Sequence, residues 1–536
     1  MLGLLLDLAV LAKAAHDIWA ATAVYFTVLL MVAVLFAAEL WDRDSAGFQI
    51  KSFLLALPML IAFGASFHYS ITPSESFSEL MDVVFSMAIF FVAQQLFRDR
   101  KNIFIFLSVI SPLFPLEFLL HLREKLQFGW TVGVSGTLLN SNVSAVFHLF
   151  WIPLVVLSAQ IFNVENKSTK ILIGLVSFCL LGTLALVQST SALLCIILGL
   201  PIMIGWPQLK EWKESNGTWF YGLTFLIGFI FCWFFGIKLS EVFSNHAWRT
   251  SYYYTSRFVW WKSGWAMFLD SPWFGVGLGN FPNAYLAYKI GAGVSTLFPH
   301  SFIVGLLAET GVVGFFAAGL FFFSWLSAAM RFYDDDDRRP FILGVILVLI
   351  FCGFNVGLEY FAILIALAIF MGIASAGTDD LLWKPRKSEA IIVGAVCLFA
   401  IPYIVAPFLA SQKVVNGYDL LKTAPRSDEA IKYFTDATEL DSRSSSAFVG
   451  LATTYAQRAM VSHDPKEFET AINYQLRAIE RDRLSAQRWW ELGAYLEAVG
   501  DFAKAKGAYA RAAQYDLTNK KFQQDKERLA TISASS

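Results

Sequence analysis

Runs of about 17 to 25 apolar residues recur through the first 410 positions of this 536-residue chain, the length a helix needs to cross a bilayer. They predict an all-α, polytopic membrane protein. Only 15% of the residues are charged, against about 25% in an ordinary soluble domain. The deficit lies almost wholly in the first 410 residues. About twelve spans are expected, near 18–40, 52–68, 81–97, 103–121, 143–161, 171–187, 190–206, 219–239, 303–330, 341–357, 360–376 and 390–409. Cys179, Cys195, Cys232, Cys352 and Cys397 all fall within apolar stretches and read as small core residues, not as a disulfide framework. The segment Met1–Ala12 is apolar but holds Asp7 and has no small-residue cleavage site. It is expected to be an interfacial helix or half of an irregular first span, not a cleaved leader.

Orientation follows from the Lys/Arg bias of short connections. One alternating set, including Arg98, Arg100, Lys101, Arg331, Arg338 and Arg339, carries fifteen basic residues, and the other set carries two, Arg123 and Lys125. The first set is therefore expected in the cytoplasm, which puts the 240–300 connection and the C-terminal tail outside. Twelve spans then place Met1 outside too, and an inside Met1 would require one more span. The net charge of −1 singles out no class of partner, and no nucleic-acid partner is expected.

Beyond Pro407 the composition turns charged and alanine-rich, which divides the chain into a membrane domain (1–410) and a tail (411–536). Trp489, Leu492, Gly493, Leu496, Ala505, Tyr509 and Ala512 fall at tetratricopeptide spacings. Ala430, Phe434 and Ala437, then Ala471 and Ala478, align as earlier copies, with Phe448, Leu451, Ala452 and Tyr455 in the first helix of the middle one. Two and a half such repeats make a short α-solenoid. It suits either a partner-binding surface, for a protein or a glycan, or a spacer that packs on the outer loop.

Between two long apolar segments lies a polar, aromatic, glycine-punctuated stretch from Arg257 to Gly314, which gathers Arg257, Lys262, Asp270 and His300. Lipid leaves irregular backbone unsatisfied, so this stretch must sit at the surface or line a cavity. It is the expected site of function. Gly275, Gly277 and Gly279 suit tight turns, because a nucleotide-binding glycine loop needs a strand before it and a helix after it. Asp270 opens D-S-P-W and suits a turn cap. Glu309, within an apolar run, needs a partner and is expected to bond loop amides or an Arg.

The segment resembles the core of the O-antigen ligase and O-antigen polymerase superfamily. The residues that carry the likeness are Arg257, Trp261, the turn Pro272–Phe281, His300, and Glu309, Gly311 and Gly314, with Gly136-Thr-Leu-Leu-Asn140-Ser-Asn142 as a second match. With the membrane layout, the likeness covers roughly residues 50–380. Some relatives also carry outward tetratricopeptide tails. The resemblance implies a glycosyltransferase of the bacterial plasma membrane, taking glycan from undecaprenyl-pyrophosphate on the outer face. The acceptor hydroxyl would lie on a lipid (ligase), a second lipid-linked glycan (polymerase) or a protein (O-oligosaccharyltransferase). One departure stands out. Relatives carry a Ser-Arg pair where this chain has Gln188-Ser-Thr-Ser-Ala192, so Arg249, Arg123 or Lys262 substitutes or the donor is held differently.

In that chemistry the leaving pyrophosphate gathers negative charge, which a permanently charged, bidentate Arg suits. The acceptor hydroxyl must lose a proton, for which His is the usual group near neutral pH. The resemblance thus makes Arg257 the clamp and His300 the base, with Arg249, Lys262, Asn140 and Asn142 as further substrate-binding candidates. Each has a plainer reading. Arg257, beside Trp260 and Trp261, also suits a headgroup-binding Arg; His300 and the two Asn also suit helix caps. No carboxylate cluster is spaced for a metal, and neither a metal nor a cofactor is expected. A transporter or assembly scaffold is the rival reading, but no inverted pair of interrupted helices is visible.

Overall fold

The computed structural model describes residues 1–15, 17–41, 47–130, 133–157, 167–204, 252–289, 296–377 and 381–535. The expected span at 219–239, Cys232 and Arg249 lie outside these residues. Among the described residues six helical stretches are long and apolar enough to cross a membrane. They are α2 (Ile18–Trp41), α4 (Pro73–Leu96), the pair α5 (Arg100–Ile110) and α6 (Leu113–Phe128), α9 (Lys167–Val187), α13 (Phe302–Ala329) and α16 (Lys387–Thr423). Shorter apolar helices stand beside them: α1 (Leu2–Leu11), α3 (Lys51–His68), α14 (Arg339–Phe354) and α15 (Phe361–Ser375). The expected span at 143–161 begins as two short pieces, α7 (Ser141–Leu149) and α8 (Ile152–Val156), and that at 190–206 is α10 (Thr190–Ile204).

The sequence of α15 explains its place. It is apolar on every side, which suits either lipid or the bundle interior, and here its residues are buried in the bundle almost throughout. Gly372 lets it approach α4 closely, since a Cβ there would lie 2.4 Å from the Ala93 Cβ. Small residues at such a crossing are how helices approach without a hydrophobic driving force. The Trp325 indole N–H donates to the Met371 carbonyl at 3.0 Å and ties α13 to the same helix. At one end of the bundle two short strands, β1 (Phe48–Gln49) and β2 (Leu382–Trp383), pair antiparallel.

At the other end α16 runs 37 residues without a break, past Pro402 and Pro407, into the tail. There follow α17 (Asp428–Leu440), α18 (Ser445–Ser462), α19 (Pro465–Glu480), α20 (Ala486–Ala498), α21 (Phe502–Tyr515) and α22 (Lys520–Ser535). Each packs on the next through small and aromatic side chains. Ala430, Phe434 and Ala437 are buried, as are Ala505, Tyr509 and Ala512. The Phe434 ring fills the space over two glycines; a Cβ on Gly450 would lie 2.3 Å from it. Gly450→Val should overpack this contact, at a cost of about 1–3 kcal/mol. The expected outcome is faster tryptic cleavage within the tail of the full-length protein, at unchanged expression.

Candidate active site

The glycine-rich turn follows α11 (Tyr252–Asp270) and precedes α12 (Phe281–Tyr288). The 240–300 connection is therefore helical over much of its described length. It packs on a break in α13, where Gly311 takes φ 64 and ψ −166. A regular helix would bond the Val312 amide to the Ala308 carbonyl. Here Val312 N donates to Pro272 O at 2.8 Å, and the Ala308 carbonyl accepts from Val276 N at 3.0 Å. One residue on, Val313 N turns to Trp273 O, while Glu309 O accepts from Gly277 N at 3.0 Å. The turn thus completes the helix backbone that the break opens.

Two glycines make this approach possible. A Cβ on Gly275 would lie 2.2 Å from the Glu309 carbonyl carbon, and one on Gly311 would lie 2.4 Å from that of Trp273. Both hold positive φ, as do Gly277 and Gly279, a conformation open to glycine at little cost. The Glu309 carboxylate accepts from the Phe281 amide at 2.9 Å. The buried Asn280 side chain donates to Ser70 Oγ and Ser76 Oγ, each at 2.7 Å, and stitches the turn to the α3–α4 connection. Asp270 ends α11, is exposed, and meets the Tyr288 phenol.

Above this platform the polar groups converge on Asn355, in the connection between α14 and α15. Its amide nitrogen donates to Asn142 Oδ1 at 3.1 Å and Ser191 Oγ at 3.2 Å. Its oxygen accepts from the Val356 amide at 2.9 Å and faces His300 Nδ1 at 3.3 Å. With that oxygen committed as an acceptor, the network assigns the proton to Nδ1 and leaves Nε2 with a free lone pair. His300 stacks on Trp260, centroids 4.7 Å apart and planes at 22°. It is held at φ 53 just before Ser301, which caps α13 and donates to Gly353 O at 2.8 Å. Burial pulls the imidazole below its usual value near 6.5; the Asn355 bond opposes this, and the Arg257 charge adds to it. Arg257 donates to Phe354 O at 3.1 Å, beside Asn355. Asn140 caps α7 by accepting from the Asn142 amide at 2.8 Å.

Asn140, Asn142, Arg257 and His300 are thus brought together. Ser189, from the stretch without an Arg, joins them by donating to Asn142 Oδ1 at 3.4 Å. Lys262 is not. It lies five residues past Arg257 on α11, about 140° around the helix, and is exposed. Arg123 is exposed on α6, whereas Lys125 is buried and donates to Trp130 O at 2.9 Å, the carbonyl that Gln188 also meets. A second polar group, in which Glu117, His121 and Ser144 are buried, supports the turn before Asn140. Glu117 accepts from Thr137 Oγ1 at 2.5 Å, and His121 Nε2 meets Ser144 Oγ at 2.8 Å. Asn355 escapes sequence reasoning; its signal was N-V-G-L-E-Y, an Asn and a Glu in a very short connection between two apolar helices. Among the described residues no group of three or more His, Cys, Asp or Glu is placed to share a metal ion.

Residues 175–319 match the family model described as O-antigen ligase. Over this segment the chain is similar to O-antigen ligases. The matched span runs from α9 into α13 and takes in Arg257, the glycine turn, His300 and Glu309, while Asn142 and Asn355 lie outside it. No curated protein matches the chain. Among solved structures, the first TPR of Spaghetti (RPAP3), bound to the HSP90 peptide SRMEEVD, is 20% identical and covers 24% of this chain and 95% of its own, with a TM-score of 0.22.

Proposed function

We propose that this O-antigen ligase-like membrane protein is a glycosyltransferase that moves a glycan from undecaprenyl-pyrophosphate to an acceptor hydroxyl, on the outer face of the bacterial plasma membrane and without a metal ion. The observation that carries the reading is the Arg257–Trp260–His300–Asn355–Asn142 constellation, whose first three members lie within the family segment. His300 Nε2 takes the acceptor proton, and the oxygen so freed attacks the anomeric carbon. The C–O bond to the diphosphate breaks as the new glycosidic bond forms. Arg257 meets the charge gathered on the leaving diphosphate. Asn355 acts on His300 by holding its tautomer, while Trp260 holds its ring plane. The acceptor defines whether the product is a lipid-linked, polymeric or protein-bound glycan.

The test is transfer from a labelled undecaprenyl-pyrophosphate oligosaccharide by the purified protein in detergent with EDTA, offered lipid, glycan and peptide acceptors. Wild-type transfer that Arg257→Ala removes supports the reading. Full activity in that variant would overturn it.

The pH dependence follows from the depressed imidazole pKa. A lowered pKa keeps His300 neutral into mildly acidic solution, and base function is lost only as pH falls through that lowered value. The acid limb of kcat/KM is therefore expected below the usual pKa near 6.5. In the residual activity of Arg257→Gln, which removes a neighbouring positive charge, the limb should move to higher pH. A limb unmoved by this change would separate Arg257 from His300.

A further inference from the structure

A cavity of about 480 Å³ lies between the tail and the membrane bundle, next to the candidate site. That volume is in the range of small-ligand pockets, about 300–1,000 Å³. Its floor is set by Glu79 and Asp82 of α4 and by Glu359, four residues past Asn355; its roof includes Asp482 and Arg488 of the tail. Tyr360, also in its lining, packs its ring 5.6 Å from that of Phe298, two residues before His300. Tyr360 and Phe298 thus connect this cavity to His300, while His300, Asn355, Asn142 and Arg257 are not themselves part of its lining.

The roof is held in place. The Arg443 guanidinium lies 3.5 Å from the centroid of the Phe77 ring, and the Arg483 amide donates to Ile71 O at 3.3 Å. The Ile71 amide in turn donates to Val276 O of the glycine turn at 3.1 Å, so tail, cavity and turn share one connection. Arg488, the guanidinium in the lining, is paired with Asp482 at 2.9 Å. Carboxylates, serine hydroxyls and tyrosines make up most of the remaining polar lining. Carboxylates take hydrogen bonds from hydroxyl and ammonium groups, and aromatic faces cover apolar sugar faces, while an anion would meet repulsion.

Resting on the transferase reading above, we propose that this cavity is the acceptor pocket, with the tail as its fixed outer wall, and that it takes short oligosaccharides that are neutral or bear amino groups and turns away acidic ones. The two substrates then separate by charge: the anionic donor head goes to Arg257 and the acceptor sugar to the acidic side.

The test is equilibrium binding by the full-length protein in detergent of fluorescent maltotriose, glucosamine trimer and galacturonate trimer, with no donor present. Ser78→Trp and Ser411→Trp fill the cavity from two separate walls, and thermal unfolding checks that each is folded. Wild type should bind maltotriose or the glucosamine trimer, the galacturonate trimer should bind weakest, and a folded filling variant should bind about tenfold more weakly. The proposal is overturned if wild type binds none of the three, if the acidic trimer binds best, or if a folded filling variant binds like wild type. Because no transfer is needed, binding without transfer would sink the enzyme reading and leave the pocket, and transfer unaffected by a filled cavity would do the reverse.

Discussion

His300→Ala is expected to lower the rate of glycan transfer about a hundred- to ten-thousandfold, the usual contribution of a positioned general base. Donor affinity should stay close to wild type. The reason lies in the geometry: Nδ1 faces the Asn355 oxygen at 3.3 Å, so Nε2 is the nitrogen free to take a proton. His300→Gln, which offers an amide and no titratable base, should fare no better than alanine. Asn355→Ala should cut the rate less, because a rotated imidazole keeps some basicity. Single-turnover transfer with pre-bound donor separates the chemical step from binding. Near-normal turnover in His300→Ala would remove this residue from the mechanism.

Gly275→Ala and Gly311→Ala are each expected to prevent accumulation of folded protein. Either Cβ would fall within 2.4 Å of backbone on the other strand of the contact, and both positions hold positive φ. Strain and overpacking together cost on the order of 3–5 kcal/mol, a large part of the 5–15 kcal/mol that typically holds a domain together. No side-chain rotation relieves the clash, since the obstructing atoms are backbone atoms. Gly319→Ala, on the same helix α13 with open space at its Cβ, is the matched control. Size-exclusion profiles of the three variants in detergent would settle the matter; a monodisperse, wild-type-like Gly311→Ala would refute the account.

The membrane helices were legible because length and apolar character alone select them. The buried all-apolar α15 and the long α16 stand where the hydropathy placed spans at 360–376 and 390–409. Arg257, His300 and the Asn140–Asn142 segment could be named because each is a polar group of the right chemistry beside an apolar run. What joins them could not. Asn355 is a single amide far from the others in sequence, and only packing reveals that its two ends reach Asn142 and His300. The helicity of α11 was hidden for a different reason. Its aromatic and polar residues blur the apolar stripe, although Ser256, Ser263 and Met267 turn out to share the buried side. Lys262 fell to the same blur, since without a helix phase nothing separates it from Arg257. The exchange of backbone bonds between the glycine turn and α13 is likewise invisible to residue patterns, because the partners are carbonyls and amides common to all residues.

The unbroken α16 has a practical consequence for dissecting this molecule. Over about 55 Å of helix there is no flexible joint between what lies among the spans and what lies in the tail. Its last turns are themselves a solenoid helix, with Gly417 seated against Phe434 of α17. A cut at residue 410 would therefore leave the tail only the stub 411–423 of this helix and remove Ala410, which packs with Ala437 and Ala447. The two halves share a beam, so a form of the tail that keeps this packing would have to begin before Ala410.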